Sequence, residues 1–179
     1  MIQHDSTLVK VALSADRIVT ILALLAAVSS LLIMFVALML EVIVRYVVGG
    51  SLGWTTETPS LLFPWLVMGG VVVAAQHGQH IAVKAILPIL NKVTARILFI
   101  GLELLALCFF AYVTYIGMDV IEVVGSEVYP VTGVSAKWAY LALIAGFSGV
   151  VITSLSSAVQ LLVVDDPFSI RAPIAEAEL

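Results

Sequence analysis

The sequence predicts an all-α membrane protein with four transmembrane helices and short interfacial helices. Hydrophobic residues make up 62% of the chain and charged residues only 11%, whereas a soluble domain has about 45–50% apolar and about 25% charged residues. The chain also contains four long apolar runs with at most one charge each, at residues 18–40, 58–76, 97–118 and 138–164. None of the runs alternates between apolar and polar residues as the strands of a membrane barrel do.

Each run has about the length that a membrane-crossing helix requires. A helix rises about 1.5 Å per residue and the hydrocarbon core is about 30 Å thick, so roughly 20 residues span it. The run at 18–40 is too long for the apolar part of a signal peptide, and no small-residue cleavage site follows it. We therefore expect this run to remain as the first helix of a single four-helix membrane domain formed by residues 1–179.

The basic residues predict the orientation of the helices in the membrane. Six of the eight Lys and Arg residues lie in the N-terminal tail, in the connection between the second and third helices, and in the C-terminal tail. Because cytoplasmic segments carry the excess of basic residues, both termini are predicted to be cytoplasmic. Residues 119–136 contain two glycines and a proline and are predicted to form a structured connection on the opposite side.

Three residues are predicted to lie at the lipid interface. Residues 81–90 are too few to span a membrane and too apolar for a free loop, so they predict a short helix in the headgroup plane. Its Lys84, and Lys92 after it, would face anionic lipid. Trp138 opens the fourth run and fits the aromatic belt.

The end of the first helix and the start of the second concentrate charged and aromatic residues. Glu41 and Arg45 have the i,i+4 spacing that favours an ion pair on one helix face. Trp54 suits a membrane interface, and Glu57 suits the positive end of a helix dipole. These features fit a self-contained interfacial cluster, but Trp and Arg are also enriched at the centres of protein interfaces. We therefore predict a partner interface that comprises Glu41, Arg45, Trp54, Glu57 and Trp65.

Glu103 is the one charge inside the third run. A charge at the centre of a span costs about 2.5–3.5 kcal/mol on insertion scales, so an acid within a membrane is a functional candidate. Glu103 lies about 10 Å into the run at 1.5 Å per residue, and Arg96 precedes it by two helical turns. We predict a polar contact with Arg96 or with a partner chain, and the alternative is a proton carrier.

No motif predicts an enzyme, a cofactor or a nucleic-acid partner. The net charge of −4 argues against nucleic acid, which requires a basic surface. His77 and His80 lie near the end of the second helix without an acidic residue or cysteine close in sequence to complete a metal site. We expect an interfacial helix end there, and no metal and no cofactor. Cys108, the single cysteine, lies within an apolar run.

The fourth run carries small residues at every fourth position: Ala145, Gly149, Thr153 and Ser157. Such a stripe lets two helix backbones approach closely. It predicts a packing face, whose neighbour is either another helix of this chain or a helix of a second chain.

Several short motifs, in order, resemble one known family. They are the Glu41–Arg45–Tyr46 end of the first helix, the Trp54 and Glu57 entry to the second, Trp65 with Gly69 and Gly70 within it, and His80-Ile81-Ala82-Val83 after it. Thr132-Gly133 with Trp138 and Tyr140 continues the pattern. Together they resemble the small membrane subunit of tripartite ATP-independent periplasmic (TRAP) transporters. Thr56 departs from the family, in which an acidic residue is usual at that place.

The resemblance implies a helper role in transport. The chain would pair with a large membrane subunit that binds substrate and sodium and moves by an elevator mechanism, and a periplasmic binding protein would deliver an organic acid. The small subunit would enlarge the immobile scaffold and offer docking surface, without a substrate site of its own. It would reside in the cytoplasmic membrane of a bacterium or archaeon. The acid could be a dicarboxylate, a sugar acid, a keto acid or a small sulfonate.

Two other functions are compatible with a small chain of four spans. One is a self-assembling, proton-coupled exporter that uses Glu103 as its carrier. The other is a structural protein without transport activity. The spans lack a chain of intramembrane acids and matching pairs of broken helices, which are the parts that a self-sufficient carrier uses.

Overall fold

A computed structural model describes residues 7–76 and 91–163. Its helices are α1, Thr7–Ile43, with a π-helical continuation at Val44–Val48; α2, Trp54–Gln76; α3, Lys92–Val124; and α4, Lys137–Val163. All four are long and apolar enough to cross a membrane. The predicted all-α class with four membrane helices is confirmed.

The helices extend beyond the predicted apolar runs. α1 begins at Thr7 rather than at residue 18, and α3 continues to Val124, which places Asp119 in a helix rather than in a connection. The apolar run marks the part that lipid must surround, whereas the backbone hydrogen bonds of a helix continue into the polar region. Residues 81–90, with Lys84, and the two histidines at 77 and 80 lie outside the described residues.

α4 contacts the other three helices, and α1, α2 and α4 pack against one another. α1 lies against α2, α2 against α4, and α3 chiefly against α4. Glycines bring α2 close to both neighbours: a Cβ on Gly69 would lie 2.5 Å from the carbonyl oxygen of Ala23 in α1. Likewise, a Cβ on Gly149 of α4 would lie 2.9 Å from Cγ2 of Val72. The absence of side chains at Gly69 and Gly149 therefore lets α2 lie close to α1 and to α4.

The small-residue stripe of α4 faces helices of the same chain. Gly149, Thr153 and Ser157 are buried, whereas Ala145 is exposed. The buried stripe continues instead through Gly146, whose absent Cβ would collide with Met68 of α2. The sequence left open which helix packs on this stripe, and the structure shows that helices of the same chain do so.

Candidate functional site at the Glu57 end

The candidate site lies at the end of the bundle where α1 ends and α2 begins, which we term the Glu57 end. The opposite end, where α2 ends, is the Gln76 end. Two carboxylates organise the Glu57 end, and each accepts hydrogen bonds from the connection that leads to a neighbouring helix.

Glu41 binds the connection between α1 and α2. Its Oε1 accepts a hydrogen bond from Ser51 Oγ at 2.9 Å. Its Oε2 accepts bonds from the Leu52 N–H at 3.1 Å and from Thr55 Oγ1 at 2.6 Å. Thr55 is completely buried, so this carboxylate ties the end of α1 to the first turn of α2. The Glu41–Thr55 contact has no signal in the sequence beyond a polar residue at each helix end.

Glu57 binds the connection between α3 and α4. Its Oε1 accepts a hydrogen bond from the Val131 N–H at 2.9 Å. Its Oε2 accepts bonds from the Thr132 N–H at 2.8 Å and from Thr132 Oγ1 at 2.7 Å. The side chain is only 8% exposed, and three donors compensate for the loss of water around a carboxylate.

The segment that Glu57 holds is a short hairpin of residues 125–136, which we term the Glu57 hairpin. The Ala136 N–H donates to the Glu127 carbonyl at 3.0 Å and the Tyr129 N–H to the Val134 carbonyl at 2.9 Å. Gly133 closes the turn with a φ of 68°, a value that glycine adopts without steric cost. The predicted structured connection is therefore present from residue 125 onward.

The two connections also contact each other. Gly53 has a φ of 64°, and a Cβ at this position would lie 3.2 Å from Cγ1 of Val131. Carboxylate bonds and this close approach join the two connections and the start of α2 into one cap.

The remaining residues of the predicted interface have different environments. Arg45 is exposed in the π-helical turn, next to Tyr46, which is 84% exposed. Trp54 is exposed at the start of α2. Trp65 lies three turns further along α2, where its Nε1 donates to the Trp138 carbonyl of α4 at 3.1 Å. The fold thus brings four of the five residues to the Glu57 end and turns the fifth towards α4.

A polar cluster at the Gln76 end was not predicted from the sequence. Gln76 Nε2 donates to the Asp16 carbonyl at 2.8 Å and contacts Thr153 Oγ1 of α4 at 3.5 Å. Gln76 Oε1 accepts a hydrogen bond from Thr20. The cluster joins α1, α2 and α4. Its sequence signal is an amide at the end of an apolar run, which an interfacial position explains equally well.

Arg96 and Glu103 are both half-buried on α3. Each makes a polar or electrostatic contact, and their mutual pairing stays a prediction. Lys92 begins α3 and Trp138 is 60% exposed in the first turn of α4. Within residues 7–76 and 91–163, no group of three or more His, Cys, Asp or Glu side chains is arranged to hold a metal ion.

Comparison with known proteins places the chain in a family. Residues 34–164 match the family model described as tripartite ATP-independent periplasmic transporters, DctQ component. The chain belongs to this family. It is therefore a component of a transport system, and small TRAP subunits work with a large permease and a substrate-binding protein. The predicted resemblance is confirmed.

Two relatives illustrate the breadth of the similarity. The chain is 23% identical over 142 residues to a protein of Haemophilus influenzae named as a TRAP transporter small permease, a match that covers 79% of this chain and 84% of that protein. It is 34% identical over 123 residues to the uncharacterized protein y4mM of Sinorhizobium fredii, a match that covers 68% of this chain. The match spans only 23% of y4mM, so most of that protein lies outside it.

Proposed function

We propose that this chain is the small scaffold subunit of a sodium-coupled, binding-protein-dependent transporter that imports an organic acid. The subunit pairs with a large elevator-type permease and has no substrate site of its own. Family membership supports the transport role. The scaffold role is supported by the way in which Glu41, Glu57 and Gln76 bind groups of their own chain and so fix the helices to one another.

The exposed apolar faces support a large membrane partner. In the apolar 18-residue stretch of α3 no residue is buried within the chain, and in that of α1 only 22% of the residues are buried. Both faces need a cover of lipid or of protein, and a second membrane subunit would cover part of them.

We also propose the membrane arrangement of the subunit. It is one membrane domain in the cytoplasmic membrane of a bacterium or archaeon, with both termini in the cytoplasm. The positive-inside distribution of Lys and Arg supports this orientation. The Glu57 end then faces the periplasm, where the binding protein arrives, and the Gln76 end faces the cytoplasm.

Reconstitution of the purified subunits tests the function. With a sodium gradient, the binding protein and its organic acid, vesicles that contain both membrane subunits should take up the acid. Vesicles that contain this chain alone should take up none. Sodium-driven uptake by this chain alone would contradict the scaffold role. A fully active large subunit without this chain would contradict it as well.

The partner interface at Glu41, Arg45, Trp54, Glu57 and Trp65 is part of the proposal. Arg45 is the sharpest test because its side chain is exposed and its replacement disturbs none of the hydrogen bonds of Glu41 and Glu57. Arg45→Ala should weaken copurification of the large subunit by about five- to hundredfold, as a hot-spot residue does. Lys10→Ala, an exposed basic residue near the start of α1, serves as the charge-matched control. Equal copurification of both variants would place the interface elsewhere.

The exporter alternative makes a different prediction for Glu103. If Glu103 only forms polar contacts, Glu103→Gln should retain most uptake, since an amide can still form hydrogen bonds. If Glu103 carries protons, the same variant should abolish transport because glutamine does not titrate. Loss of transport with normal assembly would favour the exporter mechanism.

A further inference from the structure

We infer that Glu57 is a positioning residue for docking of the soluble substrate-binding protein: it holds the Glu57 hairpin in the conformation that the binding protein contacts. The inference rests on the proposed function, because it assumes that the Glu57 end faces the periplasm. The Glu57 side chain is itself buried, so it acts through the hairpin that it binds.

The first step is the geometry of the carboxylate. Glu57 accepts two backbone N–H groups and one hydroxyl from two consecutive residues, all at 2.7–2.9 Å. Two adjacent N–H groups that converge on one carboxylate fix the backbone between them, because each bond weakens steeply with distance and angle. An apolar side chain could fill the same space, but it would leave the two N–H groups without an acceptor.

The second step is the place of the hairpin in the bundle. α2 and α4 run in the same direction, since Met68 lies against Gly146 and Val72 against Gly149. This register puts the start of α4 level with residue 60 of α2, so α2 extends about 9 Å beyond it at 1.5 Å per residue. The hairpin occupies this extra length above α4. It therefore lies at the end of the bundle rather than on a lipid-facing side.

The third step is what the hairpin presents. Glu127, Val128, Pro130 and Val131 are exposed, whereas the bonds that shape the hairpin point inward to Glu57 and to Gly125. A segment at the end of the bundle is reached from the aqueous phase. Among the partners of small TRAP subunits, the substrate-binding protein is the soluble one. A hairpin that is fixed before contact costs less conformational entropy on binding.

The test uses both membrane subunits in nanodiscs and the fluorescently labelled binding protein of the same transporter. Glu57→Gln should raise the concentration of binding protein at half-saturation by about five- to hundredfold, the range of a lost interface hot spot. For Thr132→Val, a position outside the proposed interface with the large subunit, uptake in vesicles at saturating binding protein should stay near the wild-type maximum, and copurification of the large subunit should be unchanged. Glu122→Gln, which removes an exposed acidic charge of α3, should bind as wild type.

A second pair of variants separates positioning from folding. Thr132→Val removes one of the three donors and should weaken docking in the same direction, whereas Thr132→Ser keeps the hydroxyl and should restore it. Wild-type docking in both Glu57→Gln and Thr132→Val would overturn the inference, as would loss of the large subunit from the purified Thr132→Val complex. If the wild-type pair binds no binding protein, the proposed function itself is wrong and the inference falls with it.

Discussion

Gly69 and Gly70 are neighbours in α2 but have opposite surroundings. A Cβ on Gly69 would lie 2.5 Å from the carbonyl oxygen of Ala23 and 2.8 Å from Cβ of Ala27, whereas a Cβ on Gly70 would have no atom within 4 Å. The close atom at Gly69 belongs to the backbone of α1, so a rotamer change cannot relieve the contact. The absence of a side chain at Gly69 is thus what lets α1 and α2 approach.

This pair gives a prediction with an internal control. Gly69→Ala should lower the free energy of unfolding by about 1–3 kcal/mol, because α1 must move away from α2. Gly70→Ala should leave it unchanged or raise it by up to about 1 kcal/mol, because alanine is the better helix former. Unfolding of the purified protein in mixed micelles measures both. A Gly69→Ala variant as stable as the Gly70→Ala variant would contradict the packing.

At the scale of the elements, hydrogen bonds join the helices at both ends of the bundle. Glu41 and Glu57 fix connections at one end, and at the other Gln76 joins α2 to α1 and α4. Between them, Trp65 donates to a carbonyl of α4. Polar contacts of this kind are individually modest in membrane proteins, at about 0.6 kcal/mol on average, but they select which helix faces meet.

Replacement of Gln76 tests how much the hydrogen bonds at the Gln76 end stabilise the bundle. Gln76→Leu keeps a side chain of similar size but removes the bonds to Asp16, Thr20 and Thr153, so the free energy of unfolding should fall by about 0.5–2 kcal/mol. Val71→Leu, at an exposed position of the same helix, should have little effect. Equal unfolding curves for the two variants would show that the cluster adds no stability.

At the scale of the whole molecule, the apolar runs of α1 and α3 are staggered along α4. Val19, near the start of the α1 run, lies against Gly149, and Gly117, near the end of the α3 run, lies against Ile144. From these contacts the α1 run continues towards the start of α4 and the α3 run towards its end. The centres of the two runs are therefore about 20 Å apart along the bundle at 1.5 Å per residue.

If lipid surrounds both runs, a flat hydrocarbon core of about 30 Å can hold them only when the bundle tilts. α1 and α3 each pack against α4, so their axes lie at most about 20 Å apart at 8–10 Å per helix pair, and the stagger requires a tilt of at least about 45°. Val28 and Val123 are suited to measuring the tilt because they lie at nearly the same height along α4. The contact of Val19 with Gly149 gives the height of Val28, and the contact of Gly125 with Lys137 gives that of Val123. Both side chains are exposed.

Spin labels at the two positions measure the tilt, with Cys108 replaced by Ser. A label at position 28 should be accessible to oxygen and protected from a water-soluble nickel reagent, as in the centre of the bilayer. A label at position 123 should show the reverse. Similar accessibility at both positions would mean that the bundle stands upright and that something other than lipid covers one of the runs.

The class of the protein, the number of its membrane helices and its family could be predicted from the amino-acid sequence. The class and the number of helices follow from composition and from apolar runs of sufficient length, because lipid requires every backbone group to be paired within a helix. The family rests instead on the resemblance of short motifs. The sequence also drew attention to Glu41 and Glu57, because charges are rare in such a chain.

What those residues contact depends on how the helices pack. Glu57 meets Val131 and Thr132, and Gln76 meets Asp16 and Thr153, across separations of sixty residues or more that no local pattern encodes. The helix ends differ from the predicted ends for a related reason, since hydrogen bonds and packing, rather than hydropathy, determine where a helix stops. The stagger of the apolar runs likewise depends on which glycine meets which side chain, and this register exists only once the helices have packed.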